Sequence, residues 1–204
     1  MVIQDLKPSK HVQGRWLAMM EDGSILRVGE SEVIRFSLYR GKTLTDEEAE
    51  QLLTSTHRTA LKEKAIELLT RKPQSRWELE HKLAEWEATQ EEAAEICDRL
   101  EDLGFLNDQH YAARVVKHYC GKGYGARKVR DELYRRGISR ELWDDALEQA
   151  DDSGAAIDAF LEKKLKGSQD PKDLKKASDA LARRGYTWSE ISEGLRRYGA
   201  EIEE

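Results

Sequence analysis

The feature that most constrains the fold is a phrase that occurs three times. It reads Leu83-Ala84-Glu85-Trp86, then Leu133-Tyr134-Arg135-Arg136-Gly137-Ile138-Ser139, then Leu181-Ala182-Arg183-Arg184-Gly185-Tyr186-Thr187, with leucines 50 and then 48 residues apart. After each phrase stands a hydroxyl residue suited to cap a helix (Thr89, Ser139, Thr187), followed by a polar first turn and a helical apolar pattern. Each phrase closes one helix, and another helix precedes that one. The period is therefore a three-helix unit of about 48 residues, and a chain with such a period stacks like units side by side.

Within each unit the apolar residues recur at helical spacing. Ala65, Ile66, Leu68 and Leu69 pair with Trp77, Leu79 and Leu83 and with Ala93, Ile96, Cys97 and Leu100. Tyr111, Val115 and Tyr119 pair with Val129 and Leu133 and with Leu142, Ala146 and Leu147. Ala156, Phe160 and Leu165 pair with Leu174, Ala177 and Leu181 and with Ile191 and Leu195. Ser75, just after Pro73, reads as a helix cap with Glu78 three residues on. The expected fold is mainly α, with three tandem three-helix repeats at 58–107, 108–152 and 153–204 in an elongated, curved body.

Residues 1–57 differ and form a small N-terminal β-hairpin/helix extension. Trp16-Leu17-Ala18-Met19-Met20 and Ile25-Leu26-Arg27-Val28 flank Glu21-Asp22-Gly23-Ser24, a hairpin signal, and Ile3 and Leu6 can supply a further strand. Ser31 reads as the cap of a short helix stopped by Gly41, and Thr45 with Glu48 as a capping box opening a helix through Leu52 and Leu53.

Composition removes several function classes. Of 204 residues 36% are charged, and the formal net charge is −6. Cys97 and Cys120 are too few and too far apart for a zinc site or a disulfide framework. No apolar run reaches membrane-spanning length, and the N-terminus lacks a basic-then-apolar signal pattern, so the cytoplasm is the expected compartment; a monomer is also expected. Gly121-Lys122-Gly123 lacks the ending of a phosphate-binding loop, and His81, His110 and His118 have no third ligand spaced with them. The expectation is a protein without catalytic, cofactor or metal residues.

Charge is segmented along the chain. Residues 78–102 hold ten acids against Lys82 and Arg99, whereas Arg114, Lys117, Lys122, Arg127, Lys128, Arg130, Arg135 and Arg136 meet only Asp131 and Glu132. A second basic group, Lys163, Lys164, Lys166, Lys172, Lys175, Lys176, Arg183 and Arg184, falls at equivalent places in the third unit. Val129 and Leu133 can face a core and leave Arg127, Lys128, Arg130 and Arg135 on other faces. Such bases form either a contact surface for phosphates or acidic protein, or a plain solvated face. The glycines Gly121, Gly123 and Gly125 before this helix would let backbone approach a partner closely.

Particular words in this region carry a resemblance. They are Gly104-Phe105-Leu106-Asn107-Asp108, Tyr111-Ala112, Gly123-Tyr124-Gly125-Ala126-Arg127-Lys128-Val129, Glu132-Leu133 and Arg136-Gly137-Ile138, preceded by Ser75-Arg76-Trp77-Glu78-Leu79 with Leu83. Over about residues 58–200 the chain resembles the RecX family of bacterial recombination regulators. It departs from the commonest family pattern at Tyr119-Cys120, and the first unit has Trp86-Glu87 where the others have Arg-Gly. The resemblance implies a non-catalytic regulator that binds the RecA recombinase and its filament on single-stranded DNA, in recombination, DNA repair and the SOS response. The residues expected to meet RecA or DNA are Lys122, Arg127, Lys128, Arg130, Arg135, Arg136, Lys175, Lys176, Arg183 and Arg184. The competing readings are an autonomous nucleic-acid-binding repeat protein, with Tyr124 and Tyr134 as its few stacking candidates, and a peptide-binding adaptor.

Overall fold

A computed structural model describes residues 1–148 and 153–199. The chain divides into two compact units, one of residues 1–71 with 82–99 and one of residues 72–81 with 100–204.

The first unit opens with a three-stranded antiparallel sheet, β1 (Ile3–Pro8), β2 (Arg15–Met20) and β3 (Ile25–Gly29), in the order β1-β2-β3. The expected hairpin is β2–β3, and the third strand from Ile3 and Leu6 is present. Alternation explains its two faces: Trp16, Ala18 and Met20 with Leu26 and Val28 share one side and enter a core with Phe36, Leu38, Leu44 and Leu52. Ile3 and Leu6 differ in parity, yet both join that core, because the register shifts between Ile3 and Asp5. An isolated bridge between Val2 and Thr43 extends β structure slightly past residue 30.

The next helix corrects the sequence reading. Helix α1 spans Glu30–Arg35 and is capped from Gly29, not Ser31. The Glu32 carboxylate reaches back 2.9 Å to accept the Gly29 N–H. The helix ends well before Gly41, where Phe36 caps it and Ser37 turns to φ 47°. The Thr45–Glu48 box is present in both directions, at 3.0 and 3.1 Å. It opens α2, which runs unbroken over Asp46–Arg71, so residue 57 lies inside a helix. Ala49, Leu52, Thr56, Leu61, Ala65 and Leu69 form its buried stripe.

Helices α3 (Arg76–Glu85) and α4 (Gln90–Asp102) follow. Ser75 and Thr89 cap them as expected, each exchanging bonds with the Glu three residues on. In the second unit α5 (Asp108–Gly121) is capped by the Asn107 side chain, and α6 (Ala126–Arg135) follows the glycine turn. Ser139 makes no side-chain cap; it precedes a 3-10 turn (Arg140–Leu142) that leads into the short α7 (Trp143–Glu148). Tyr111, Ala112, Val115, Val116, Val129, Leu133, Ile138 and Ala146 form one core. Helices α8 (Ser153–Leu165), α9 (Pro171–Arg183) and α10 (Trp188–Arg197) build a second around Ile157, Leu161, Leu165, Ala177, Leu181, Tyr186, Ile191 and Leu195. Thr187 and Glu190 form a full capping box at α10. The architecture is thus mainly helical, with repeated three-helix modules and a small N-terminal sheet.

Candidate partner-binding surface

The repeated phrase is a joint. Its Arg-Gly step from one repeat docks on the start of the second helix of the repeat before. At the first joint the Ser75 hydroxyl donates to the Arg136 carbonyl, and Gly137, at φ 66°, lies against the Trp77 side chain so closely that a Cβ there would collide with it. The Arg76 N–H donates to Asp108 at 2.8 Å, and its guanidinium reaches Glu101 at 2.8 Å. At the second joint the Gly125 N–H donates to the Arg184 carbonyl at 2.9 Å and the Arg127 N–H to the Gly185 carbonyl at 3.2 Å. A Cβ on Gly125 would stand 2.6 Å from Gly185 backbone, and one on Gly185 2.5 Å from the Lys128 nitrogen. The close approach expected of the glycine turn is therefore made to the chain's own third repeat. Gly125 has an ordinary φ of −80°, whereas Gly123 is at +76° and Gly121 has nothing near it.

The arginine of each step covers an aromatic ring of its own repeat. The Arg136 guanidinium lies 5.8 Å from the Tyr111 ring centre and that of Arg184 4.6 Å from Phe160. In the first unit the roles are exchanged: Trp86 stands at the arginine position and Lys64 lies 5.6 Å over its ring. Glu87 there holds φ 68°, the same left-handed turn that glycine makes at 137 and 185. The left-handed turn is thus kept in the first repeat although the Arg-Gly sequence is not.

These contacts sort the ten expected residues. Arg136 points inward, donating to the Tyr111 hydroxyl at 2.7 Å and Glu78 at 3.2 Å. Burial, and then the Glu78 carboxylate, push the Tyr111 phenol up to about 12. Arg184 lies on Phe160 and reaches the Gly123 carbonyl at 3.4 Å. Lys128 is half-buried beside Gly185, its ammonium 3.6 Å from Glu132. Arg135 also bonds Glu132, at 3.2 Å, and Glu132 is buried beneath them, accepting from the Tyr119 hydroxyl at 3.1 Å. Arg130 is exposed and lies 3.5 Å from Asp144. Lys176 pairs with Asp173 at 3.4 Å. Lys122, Arg127, Lys175 and Arg183 are exposed and make no ion pair among the described residues.

The second joint gathers Lys122, Arg127, Lys128, Arg183 and Arg184, because Gly123, Gly125 and Gly185 bring their backbones together. Lys175 and Lys176 sit about two turns up α9, about 10–12 Å of helix rise from Arg183 and Arg184. Arg127, Arg130 and Tyr134 share one face of α6 at helical spacing, and Tyr134 is 68% exposed. Sequence reasoning passed over Trp188, 64% exposed at the first position of α10 beside the Gly185-Tyr186-Thr187 turn. An aromatic at the first position of a helix, outside its apolar stripe, was the signal available.

Among the described residues no three His, Cys, Asp or Glu side chains come together to hold a metal ion, and no helix is long and apolar enough to cross a membrane. Cys97 is buried and Cys120 half-buried. The geometry defines a class: a helical-repeat protein whose joints consume some of its arginines and leave others outside. Residues 62–100 match the first three-helix domain of RecX and residues 107–147 the second. The regulatory protein RecX of Xanthomonas citri is 35% identical over 137 residues, covering 66% of this chain and 85% of that protein. Its counterpart from Chromohalobacter salexigens is 32% identical over 143 residues, covering 69% and 94%. A crystal structure of regulatory protein RecX shares the fold with a TM-score of 0.75 at 20% identity, covering 97% of this chain and all of the other. That of RecX from Lactobacillus salivarius gives 0.63 at 20% identity, over 71% and 98%. The chain belongs to the RecX family of regulatory proteins.

Proposed function

We propose that this protein is a non-catalytic, cytoplasmic, monomeric regulator that binds the RecA recombinase and its filament on single-stranded DNA. It thereby restrains RecA's ATP turnover and strand exchange, acting in recombination, repair and the SOS response. Family membership supports the regulatory role. The observation that carries the contact surface is the division of labour among its bases. Arg136, Arg184 and Lys128 are engaged in the joints, while Arg127, Arg130 and Arg183 stand exposed around one of them. Exposed guanidiniums suit acidic protein faces and phosphates alike. The test is RecA's DNA-dependent ATPase, titrated with the parent protein and with Arg127→Ala/Arg130→Ala/Arg183→Ala. Inhibition by the parent and a tenfold or greater rightward shift for the variant are expected; equal inhibition removes this surface from the account. Tyr134 and Trp188 favour a second reading, autonomous single-strand binding, because bases stack on exposed rings. On that reading the parent binds naked oligonucleotide as tightly as it binds filaments.

A further inference from the structure

The N-terminal unit carries a slot between the edge of its sheet and helix α2. Strand β3 is an edge strand, paired with β2 alone. Met20 donates to Ser24 and Glu30 to Gly14, and the register between them is unbroken from Met19↔Ile25 to Arg15↔Gly29. Hydrogen-bonded pairs alternate along such a ladder, so Leu26 and Val28 face β2, while the N–H and C=O groups of Ile25, Arg27 and Gly29 point away from it. The Gly29 N–H is taken by Glu32. The outward groups of Ile25 and Arg27 remain for a further strand, and both residues are exposed.

A groove of about 510 Å3 runs beside this edge, with Arg27, Val28 and Gly29 on one wall and Thr59, Ala60 and Ile66 of α2 among the residues of the other. Its two acids are already neutralised, Glu63 by Arg15 and Glu67 by Arg71. Among the described residues neither Arg27 nor Lys64, also in the lining, makes an ion pair, and Lys64 lies over the face of Trp86. The slot therefore offers main-chain pairing, an apolar floor and uncompensated positive charge.

We propose that β3 and α2 form a docking slot for an extended acidic segment of a partner protein, which adds a fourth strand to the sheet. Alternation dictates what such a segment looks like. Apolar residues at every second position face Val28 and Ile66, and carboxylates between them face the side on which Arg27 stands. Charge complementarity asks for an acidic occupant, and the open ladder chooses a peptide over a nucleic acid, because phosphates can accept from the outward N–H groups but have no donor for the outward carbonyls of Ile25 and Arg27. The inference is independent of the bases on α6 and α9.

The test uses the full-length protein, 15N-labelled, and an acetylated eight-residue peptide of alternating valine and aspartate. Two further peptides serve as controls, one with lysine for aspartate and one N-methylated at alternate amides. Amide shifts are expected at Ile25, Arg27 and the Thr56–Glu67 stretch. Arg27→Glu, and separately Ala60→Trp to fill the groove, should each weaken binding tenfold or more while leaving the thermal melt in place. Arg127→Ala/Arg130→Ala should bind the peptide as the parent does. The proposal is overturned if the lysine or N-methylated peptide binds as well as the first, if no peptide binds, if the shifts fall elsewhere, or if oligo-dT moves the same amides.

Discussion

Gly125→Ala isolates the joint between the second and third repeats. At φ −80° and ψ 167° an alanine is conformationally at ease, so backbone strain contributes nothing. The cost is steric: the new Cβ would lie 2.6 Å from the Gly185 carbonyl carbon and oxygen and from the Tyr186 nitrogen, all of them main chain. Ordinary contact needs nearly another ångström, and backbone cannot rotate aside as a side chain does. The phrase must move, which stretches the 2.9 Å Gly125–Arg184 and 3.2 Å Arg127–Gly185 bonds. Overpacking costs about 1–3 kcal/mol, and each of the two weakened bonds about 1 kcal/mol, so about 3–5 kcal/mol is expected. Gly123→Ala is the control. Its φ of +76° is unfavourable by about 1–2 kcal/mol for alanine, yet its Cβ would meet only the movable Arg184 guanidinium at 3.0 Å. Urea melts should place Gly125→Ala below Gly123→Ala, and hydrogen exchange at the Arg127 amide should rise by about two decades in the former. If Gly123→Ala is the more damaging, the joint is not what these glycines serve.

Three further outcomes follow from single residues. Glu87→Gly relieves a left-handed backbone and should stabilise the protein by about 0.5–1 kcal/mol in a denaturant melt, the glycine's greater unfolded-state entropy offsetting part of the gain. Buried Glu32 accepts from Gly29, Ser31, Ser55 and Thr59 at 2.7–3.2 Å. Burial alone would raise its pKa, but the Thr59 and Ser55 hydroxyls outweigh it and hold the carboxyl below its usual 4.5. Its stabilisation is therefore complete above about pH 4.5 and lost as pH falls through the folded value; Glu32→Gln should cost about 1–3 kcal/mol at pH 7 and flatten the acid limb of the stability profile. The Tyr111 phenol, pushed to about 12, should leave a late step near that pH in ultraviolet titration, and its share of stability should fall as pH rises from about 10 towards 12.

What the sequence made legible was local or periodic. The Thr45, Ser75, Thr89 and Thr187 caps each pair with a Glu three residues on, a signal contained in four positions. Leu79, Leu83, Val129, Leu133, Ala177 and Leu181 are buried as their spacing demands. Continuity of α2 past Leu53 was not legible, because the hydroxyls of Thr54, Ser55 and Thr56 compete with the backbone for hydrogen bonds and weaken a helical pattern. The fold absorbs those hydroxyls: Thr54 and Thr56 bond carbonyls one turn back, and Ser55 bonds Glu32. Gly29 as a cap was hidden because Glu32, not the cap residue, supplies the side-chain bond. The joints were illegible for a different reason. Arg136-Gly137 and Arg184-Gly185 announce themselves as repeats, but that they dock on Ser75 and on Gly125, about 60 residues earlier, is a contact no local pattern encodes. A charge count therefore could not separate Arg136 and Arg184, which hold the repeats together, from Arg127 and Arg183, which face outward.

The most direct test of the functional account is a co-sedimentation measurement on RecA filaments formed on single-stranded DNA, with naked DNA as the parallel arm. The parent protein should pellet with filaments and bind naked strands weakly. The Arg127→Ala/Arg130→Ala/Arg183→Ala variant, its melt within about 0.5 kcal/mol of the parent's because exposed substitutions cost little, should lose filament binding by tenfold or more. Full co-sedimentation of that variant, or equal binding of the parent to filaments and naked DNA, would contradict the account.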